Sequence, residues 1–327
     1  MERGVYSMVE QWSRKREILS ELASGKFVSG EALASILGVS RTAISNHIAA
    51  LEEYGVDIYS VKGKGYRLNG TLSLVDESVL KARISNRCFY FDEIPSTNAF
   101  ILKHAEDLVS GDICIAEYQS AGRGRRGRVW VSPYGCHLYF SMYWQFPQGM
   151  AQAMGLSLVV ACSIVSVLQQ LDVEGVGVKW PNDIYLNSKK LAGVLIELSG
   201  HTDSECNLVI GIGLNMAMGE QHAAKIDQPW SDLTGLECVP DKTELLVLLQ
   251  RQLQLDLTLF QKSGLKPFQQ RWSAADIFEG QPVKLLIGSD EIHGIYRGID
   301  EQGAVVLETA SGKQSFIGGE ISLRKLG

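Results

Sequence analysis

The sequence predicts an α+β multidomain chain: an N-terminal winged helix-turn-helix, a central mixed-sheet domain and a small C-terminal β-barrel. Three observations predict this. Helical periodicity broken by short glycine-containing turns fills the start of the chain, strand-like runs alternate with helical ones through the middle, and short alternating strands with glycine turns close it. A length of 327 residues exceeds one average domain, and the boundaries are expected at 1–72, 73–275 and 276–327.

Composition removes several classes of function. Apolar residues make up 45% and charged residues 21%, ordinary for a globular protein, and no run approaches the roughly 18 apolar residues of a membrane span. The start, MERGVYSMVEQWSRK, lacks the apolar core of a secretory signal, so a cytoplasmic protein with no membrane partner is expected. The six cysteines stand far apart without a CxxC pair, which points to reduced, mostly buried thiols and away from zinc knuckles. A net charge of −6 disfavours nonspecific polyanion binding by the whole molecule, so any nucleic-acid role must be local.

Met8, Val9, Trp12, Ile18, Leu19 and Leu22 recur at helical spacing and stop at Ser24-Gly25-Lys26. Ser29 precedes EALASIL, Gly38 interrupts, and Ser40 opens RTAISNHIAALEEYG, which reads as two capped helices joined by a tight turn. Ile44, Ile48 and Leu51 should pack inward. That leaves Ser40, Arg41, Thr42, Ser45, Asn46 and His47 to face base edges and phosphates. VDIYSVKGKGYRL then alternates around Lys62 and Lys64, as a two-stranded wing with a basic tip does. A packing module without DNA is the alternative, although packing alone gives no reason for two lysines at the tip.

The central runs CFYFDEI, DICIAEYQ, HLYFSMYW, AMGLSLVVACSIVSVLQQL, GVGVKW, DIYL, LAGVLIEL and CNLVIGIGLNM favour a mixed or mainly antiparallel sheet with helices. Between two of the strands lies AGRGRRGRVW, with Arg123, Arg125, Arg126 and Arg128 among three glycines. Glycine lets backbone N–H groups approach an anion, and arginine offers a fixed fork of donors. Because it joins two strands with no helix following, the loop fails the dinucleotide-binding reading of G-x-G-x-x-G; it suits a loop that an anionic ligand orders. GVGVKWPNDIYLNSKKLAGVLIEL places Lys190 at the head of a strand, where a buried, unpaired ammonium would be costly and a ligand's charge would relieve it. In VIGIGLNM, Gly211 and Gly213 would leave room for a planar group, or mark bulges or tight packing. The tail, Gly280 to Arg324, shows the alternation of a small barrel.

GRGRRGR followed by KWPNDIYLNSKKLAG closely resembles the biotin-protein ligases, and the N-terminal winged helix extends the resemblance to their bifunctional operon-repressing branch over essentially the whole chain. The resemblance implies a class II synthetase-like catalytic domain and an SH3-like C-terminal domain. It implies condensation of biotin with ATP and Mg2+ to biotinyl-5'-AMP, then transfer to a lysine of the biotin carboxyl carrier protein of acetyl-CoA carboxylase. By similarity Lys190 and Arg125 would be catalytic. Biotin would meet Ser96, Thr97, Asn98, Gln119, Gly122, Arg123, Gly124, Gly193, Gly211 and Gly213, besides Arg125 and Lys190. ATP would meet Arg125, Arg128, Asn182, Lys190, Asn215, Trp230, Lys284 and Arg324, with Asp183 the candidate for Mg2+. Ser96-Thr97-Asn98 alone would read as an ordinary helix start, and Lys284 and Arg324 as structural filler. The resemblance further implies a homodimer promoted by biotinyl-5'-AMP that binds the biotin operator and represses biotin biosynthesis. The rivals are a lipoate-type ligase and a biotin-sensing repressor without turnover.

Overall fold

The structure, a computed structural model, describes residues 2–70, 72–146, 155–200, 206–218, 222, 226, 228–317 and 321–325, without the side chains of 2–11 and 199–200. The expected inward packing of Met8 and Val9 and the expected start of a helix at Ala153 therefore lie outside the described residues.

The N-terminal unit comprises α1 (Glu2–Leu22), α2 (Gly30–Leu37), α3 (Arg41–Glu53) and a hairpin of β1 (Ile58–Val61) with β2 (Gly65–Leu68). Ser29 and Ser40 cap α2 and α3 by accepting from Ala32 N and Ala43 N, and Gly38 ends α2 with φ 65°, where a side chain would be strained. Ile44, Ile48 and Leu51 join Trp12, Ile18, Leu19 and Leu22 in one apolar core.

The central sheet has seven strands in the order β3-β4-β5-β9-β8-β7-β6. They are β3 (Cys88–Ile94), β4 (Ile113–Gln119), β5 (His137–Phe146), β6 (Val176–Lys179), β7 (Asp183–Leu186), β8 (Lys189–Gly200) and β9 (Cys206–Asn215). Only the β3–β4 pair among them is parallel. Side chains alternate across the sheet as the pleat requires. Leu138, Phe140, Met142, Val194, Ile210, Ile212 and Leu214 face the main core, together with α6 (Leu156–Gln170) and α7 (Lys242–Ser263). On the opposite face the register aligns Leu195, Gly211 and Ser141, and beside them Gly193 with Gly213. This second face is nearly stripped of side chains at its centre and carries the site. Two short helices flank the sheet, α4 (Glu77–Arg83) and α5 (Thr97–Lys103); α8 (Gln269–Ala275) precedes the C-terminal unit.

β10 (Pro282–Ile287), β11 (Asp290–Ile299), β12 (Val305–Thr309), β13 (Gly312–Phe316) and β14 (Ile321–Lys325) form an antiparallel sheet in the order β13-β12-β11-β10-β14. Among the described residues β13 and β14 stand at opposite edges of this sheet and no pairing between them closes it.

The winged helix is packed firmly onto the central sheet. Trp12 stacks on Tyr134 at 4.7 Å, Tyr54 meets Tyr118 edge-on at 4.8 Å, and Tyr134 shares the N-terminal core. Arg16 pairs with Asp92 at 2.6 Å, and the Tyr54 hydroxyl donates to Glu93 at 2.6 Å. Both acids lie near the end of β3, just before Ser96. Among the described residues no helix is long and apolar enough to cross a membrane. The cysteines are free, with Cys114, Cys162 and Cys206 buried and Cys238 exposed.

Candidate active site

Two clefts open on the glycine-floored face of the sheet. The first collects Ser96, Thr97, Asn98, Gln119, Arg123, Arg125, Lys190 and Gly193 with Gly211 and Gly213. The second is lined by Asn215, Met218, Ile226 and Trp230. Lys190, Trp130 and Arg128 line both. Most of the residues singled out from the sequence therefore meet in one place.

Local structure explains how each arrives. Ser96 caps α5, accepting from Ala99 N, and so delivers Thr97 and Asn98 to the cleft within 4% exposure each. Gln119 ends β4, and its Oε1 accepts from Thr97 N at 2.9 Å. The β7–β8 hairpin turns on Asn187 and Ser188, both left-handed with φ 49° and 66°, so that Lys190 re-enters the sheet. The indole of Trp130 lies over Gly213, where a Cβ would approach it to 2.3 Å; at Gly211 a Cβ would come within 2.3 Å of the Asn98 amide. The glycines do leave room for a planar group, but the protein supplies it itself. Gly122 lies beneath the loop rather than in the cleft lining, and a Cβ there would sit 2.4 Å from the Trp130 carbonyl oxygen.

The electrostatics depart from the sequence expectation at Lys190. Its ammonium is not waiting for a ligand's charge: it pairs with Asp183 at 2.7 Å, with 15% and 17% of the two side chains exposed. Arg125 donates to Asn182 Oδ1 at 2.9 Å, and Asn182 in turn bonds the Val194 carbonyl. Burial lowers the Arg125 guanidinium from its ordinary value, opposed by Asp183 and aided by Arg126. Arg126 takes φ 58° in the loop, a left-handed backbone that a non-glycine residue adopts only under constraint. Burial also lowers Lys179, where Asp183 opposes the shift and Lys190, Arg324 and Arg128 reinforce it.

Several placements add to or differ from the sequence reading. Lys284 and Arg324 face each other across β10 and β14; Lys284 pairs with Glu291 at 3.2 Å, and Arg324 lies near enough to Lys179 of the first cleft to act on it electrostatically. The neighbouring Ile321, Ser322 and Leu323 line the first cleft. His47 is half-buried beside Lys15 and Arg14, and burial followed by those cations pulls it below its ordinary value, so it does not share the exposure of Ser40, Arg41, Thr42, Ser45, Asn46, Lys62 and Lys64. Sequence reasoning missed Trp130 and Lys179, which line the first cleft, and Ser132, Ser141 and Glu197, which hydrogen-bond its lining residues Gln119 and Asn98. Trp130 ends the quoted arginine loop and Lys179 opens KWPND, so both had a signal; Ser132, Ser141 and Glu197 had none.

Comparison with known proteins agrees with this geometry. Residues 14–67 match an HTH domain, 89–215 the biotin/lipoate A/B protein ligase family, and 279–324 the biotin protein ligase C-terminal domain. The chain is 46% identical over 309 residues to the bifunctional ligase/repressor BirA of Escherichia coli, covering 94% of this chain and 96% of that one. It is 35% identical over 238 residues to a biotin–[acetyl-CoA-carboxylase] ligase of Paracoccus denitrificans, covering 69% and 96% respectively. The solved biotin protein ligase of Aquifex aeolicus, in complex with biotin and ATP, superposes with TM-score 0.64 at 29% identity over 73% of this chain and 99% of that one. With the two-cleft site, the N-terminal helix-turn-helix and identity sustained along nearly its whole length, the chain belongs to the biotin protein ligase family, in the branch of the bifunctional ligase/repressors.

Proposed function

We propose that the protein activates biotin with ATP, passes it to a carrier-protein lysine, and with the activated intermediate bound represses transcription. The observation that carries this reading is Lys190, which lines both clefts and so stands where two anions would meet. The first cleft offers hydroxyl and amide groups from Ser96, Thr97, Asn98 and Gln119, which suit a neutral ureido ring. The second offers the indoles of Trp130 and Trp230 and the amide of Asn215, which suit adenine.

In this reading a biotin carboxylate oxygen attacks the α-phosphorus of ATP, the bond to the bridging oxygen breaks, and pyrophosphate leaves. The carrier lysine's amine then attacks the acyl carbon of biotinyl-5'-AMP and AMP departs. Lys190, Arg125 and Arg128 neutralise and position charge rather than form covalent bonds. Asp183 holds Lys190 before substrates arrive. Among the described residues no three His, Cys, Asp or Glu side chains gather as a metal cage. Asp183, the carboxylate in the first cleft's lining, fits the habit of Mg2+, which takes one or two carboxylates and completes its shell with substrate phosphates. Bound there, Mg2+ would supply countercharge to the phosphates.

The Paracoccus relative's name supports the carboxyl carrier protein of acetyl-CoA carboxylase as acceptor, and the Escherichia relative's name with the exposed basic wing supports operator binding. We also infer functional units at 1–72, 73–275 and 276–327, the second class II synthetase-like and the third SH3-like, and a homodimer favoured by biotinyl-5'-AMP. The test is pyrophosphate release: it should require biotin, and Lys190→Met should slow it by about 10²–10³-fold, the scale of losing one preorganised charge stabiliser. Release driven by lipoate in place of biotin, or none with the native chain, would defeat the reading.

A further inference from the structure

Resting on the first cleft as the biotin site, we propose that Glu197 is a positioning residue that latches the arginine loop to the amide reading the biotin ring. Glu197 extends from β8 on the glycine-floored face, with 25% of its side chain exposed. One carboxylate oxygen accepts from Asn98 Nδ2 at 2.7 Å; the other lies 3.1 Å from Arg123 Nη1, at the entry to the loop.

The two ends of an asparagine amide have nearly the same shape, so its partners decide which way it faces. At Asn98, Nδ2 faces acceptors that cannot donate, the Glu197 carboxylate and the Leu195 carbonyl, while Oδ1 accepts from the buried Ser141 hydroxyl. Reversal would set an oxygen against the carboxylate. Glu197 thereby fixes which hydrogen-bonding edge of a 4%-exposed amide the cleft presents.

The same network reaches the other end of the loop. Ser141 Oγ lies 2.7 Å from the hydroxyl of Thr97, whose backbone N–H donates to Gln119 Oε1. Gln119 Nε2 donates to Ser132 Oγ at 3.2 Å, and Ser132 donates to the Trp130 carbonyl at 2.9 Å. Loop entry and exit are thus both tied to the amide and hydroxyl groups lining the cleft. A half-exposed ion pair such as Arg123–Glu197 contributes little to stability, so its consequence lies in where it holds the loop.

The experiment uses the full chain and measures biotin binding by calorimetry, biotinyl-5'-AMP release rate, and the KM for biotin and for ATP. Glu197→Ala, which removes both contacts, should weaken biotin binding and raise its KM about tenfold or more, the scale of one charge-assisted hydrogen bond, with the KM for ATP unchanged. Glu197→Gln can still accept from Asn98 but turns an amide NH2 toward Arg123. It should chiefly speed adenylate release, and in a double-mutant cycle with Arg123→Ala the two effects should be less than additive. Variants within twofold of native, parallel rises in both KM values, or additive effects in the double variant overturn the latch alone. A native chain that binds no biotin overturns the underlying reading of the cleft, and the latch with it.

Discussion

Gly211 and Gly213 are the residues on which the site's shape depends most directly. Gly211→Ala would push a methyl into the Asn98 amide, whose partners hold it on three sides, so biotin affinity should fall by at least tenfold in equilibrium binding while the fold persists. Retained affinity would show that Asn98 does not read the ring. His137 carries the clearest pH dependence. Full burial, reinforced by Lys242, lowers it to about 3, and its Nδ1 accepts from Met216 N. Since the folded value lies below the unfolded one near 6.5, the stabilisation is complete above that pH and is lost as the pH falls from about 6.5 toward 3. The unfolding free energy from urea titration should therefore drop below pH 6.5 by about 1.4 kcal/mol per pH unit from this group, and His137→Phe should flatten that slope. The arginine loop and the Lys190 strand were legible in the sequence because charge and glycine in a short run need a chemical reason. Ser141 and Glu197 were not, because a serine or glutamate in a strand carries no local signal; only the register across β5, β8 and β9 brings them to Asn98. Lys190 was legible as a buried cation, but its pairing with Asp183 depends on which strands lie side by side.

The elements were largely legible where periodicity and caps agreed: α2 and α3 begin at the serines that cap them, and the wing turns at its glycines. Less legible was how elements dock. The N-terminal core takes Tyr134 from the central unit, and nothing in the spacing of either segment announces that partnership. A second long-range tie is the fully buried pair of Lys242, at the start of α7, and Glu117 of β4, at 2.5 Å, with Glu117 also accepting from Val75 N and the Tyr90 hydroxyl. Lys242→Ala would strand a buried carboxylate and should destabilise the protein by about 3–5 kcal/mol in chemical denaturation. A loss under 1 kcal/mol would show that the pair is not needed. On the winged helix, Lys62 and Lys64 flank an exposed turn. If they contact phosphates, replacing each with alanine should weaken binding to specific and nonspecific duplexes alike and reduce the slope of log K against log salt by about 1.

At the scale of the whole molecule, the winged helix contacts the segment that leads into the first cleft: Arg16 and Tyr54 hold Asp92 and Glu93, and β3 then runs into Ser96 and Thr97. Ligation and repression are in this way built on shared strands. Sedimentation should show biotinyl-5'-AMP strengthening self-association by about 1–3 kcal/mol, an ordinary allosteric coupling, and equal association with and without it would separate the two roles. The proposed chemistry depends on the two clefts meeting at Lys190. The most direct test is intact mass: incubate the protein with biotin, ATP, Mg2+ and an apo carrier domain, alongside Lys190→Met. The carrier should become heavier by one biotinyl group with the native chain and stay unchanged with the variant. An unmodified carrier with the native chain, or equal modification by both, would contradict that chemistry.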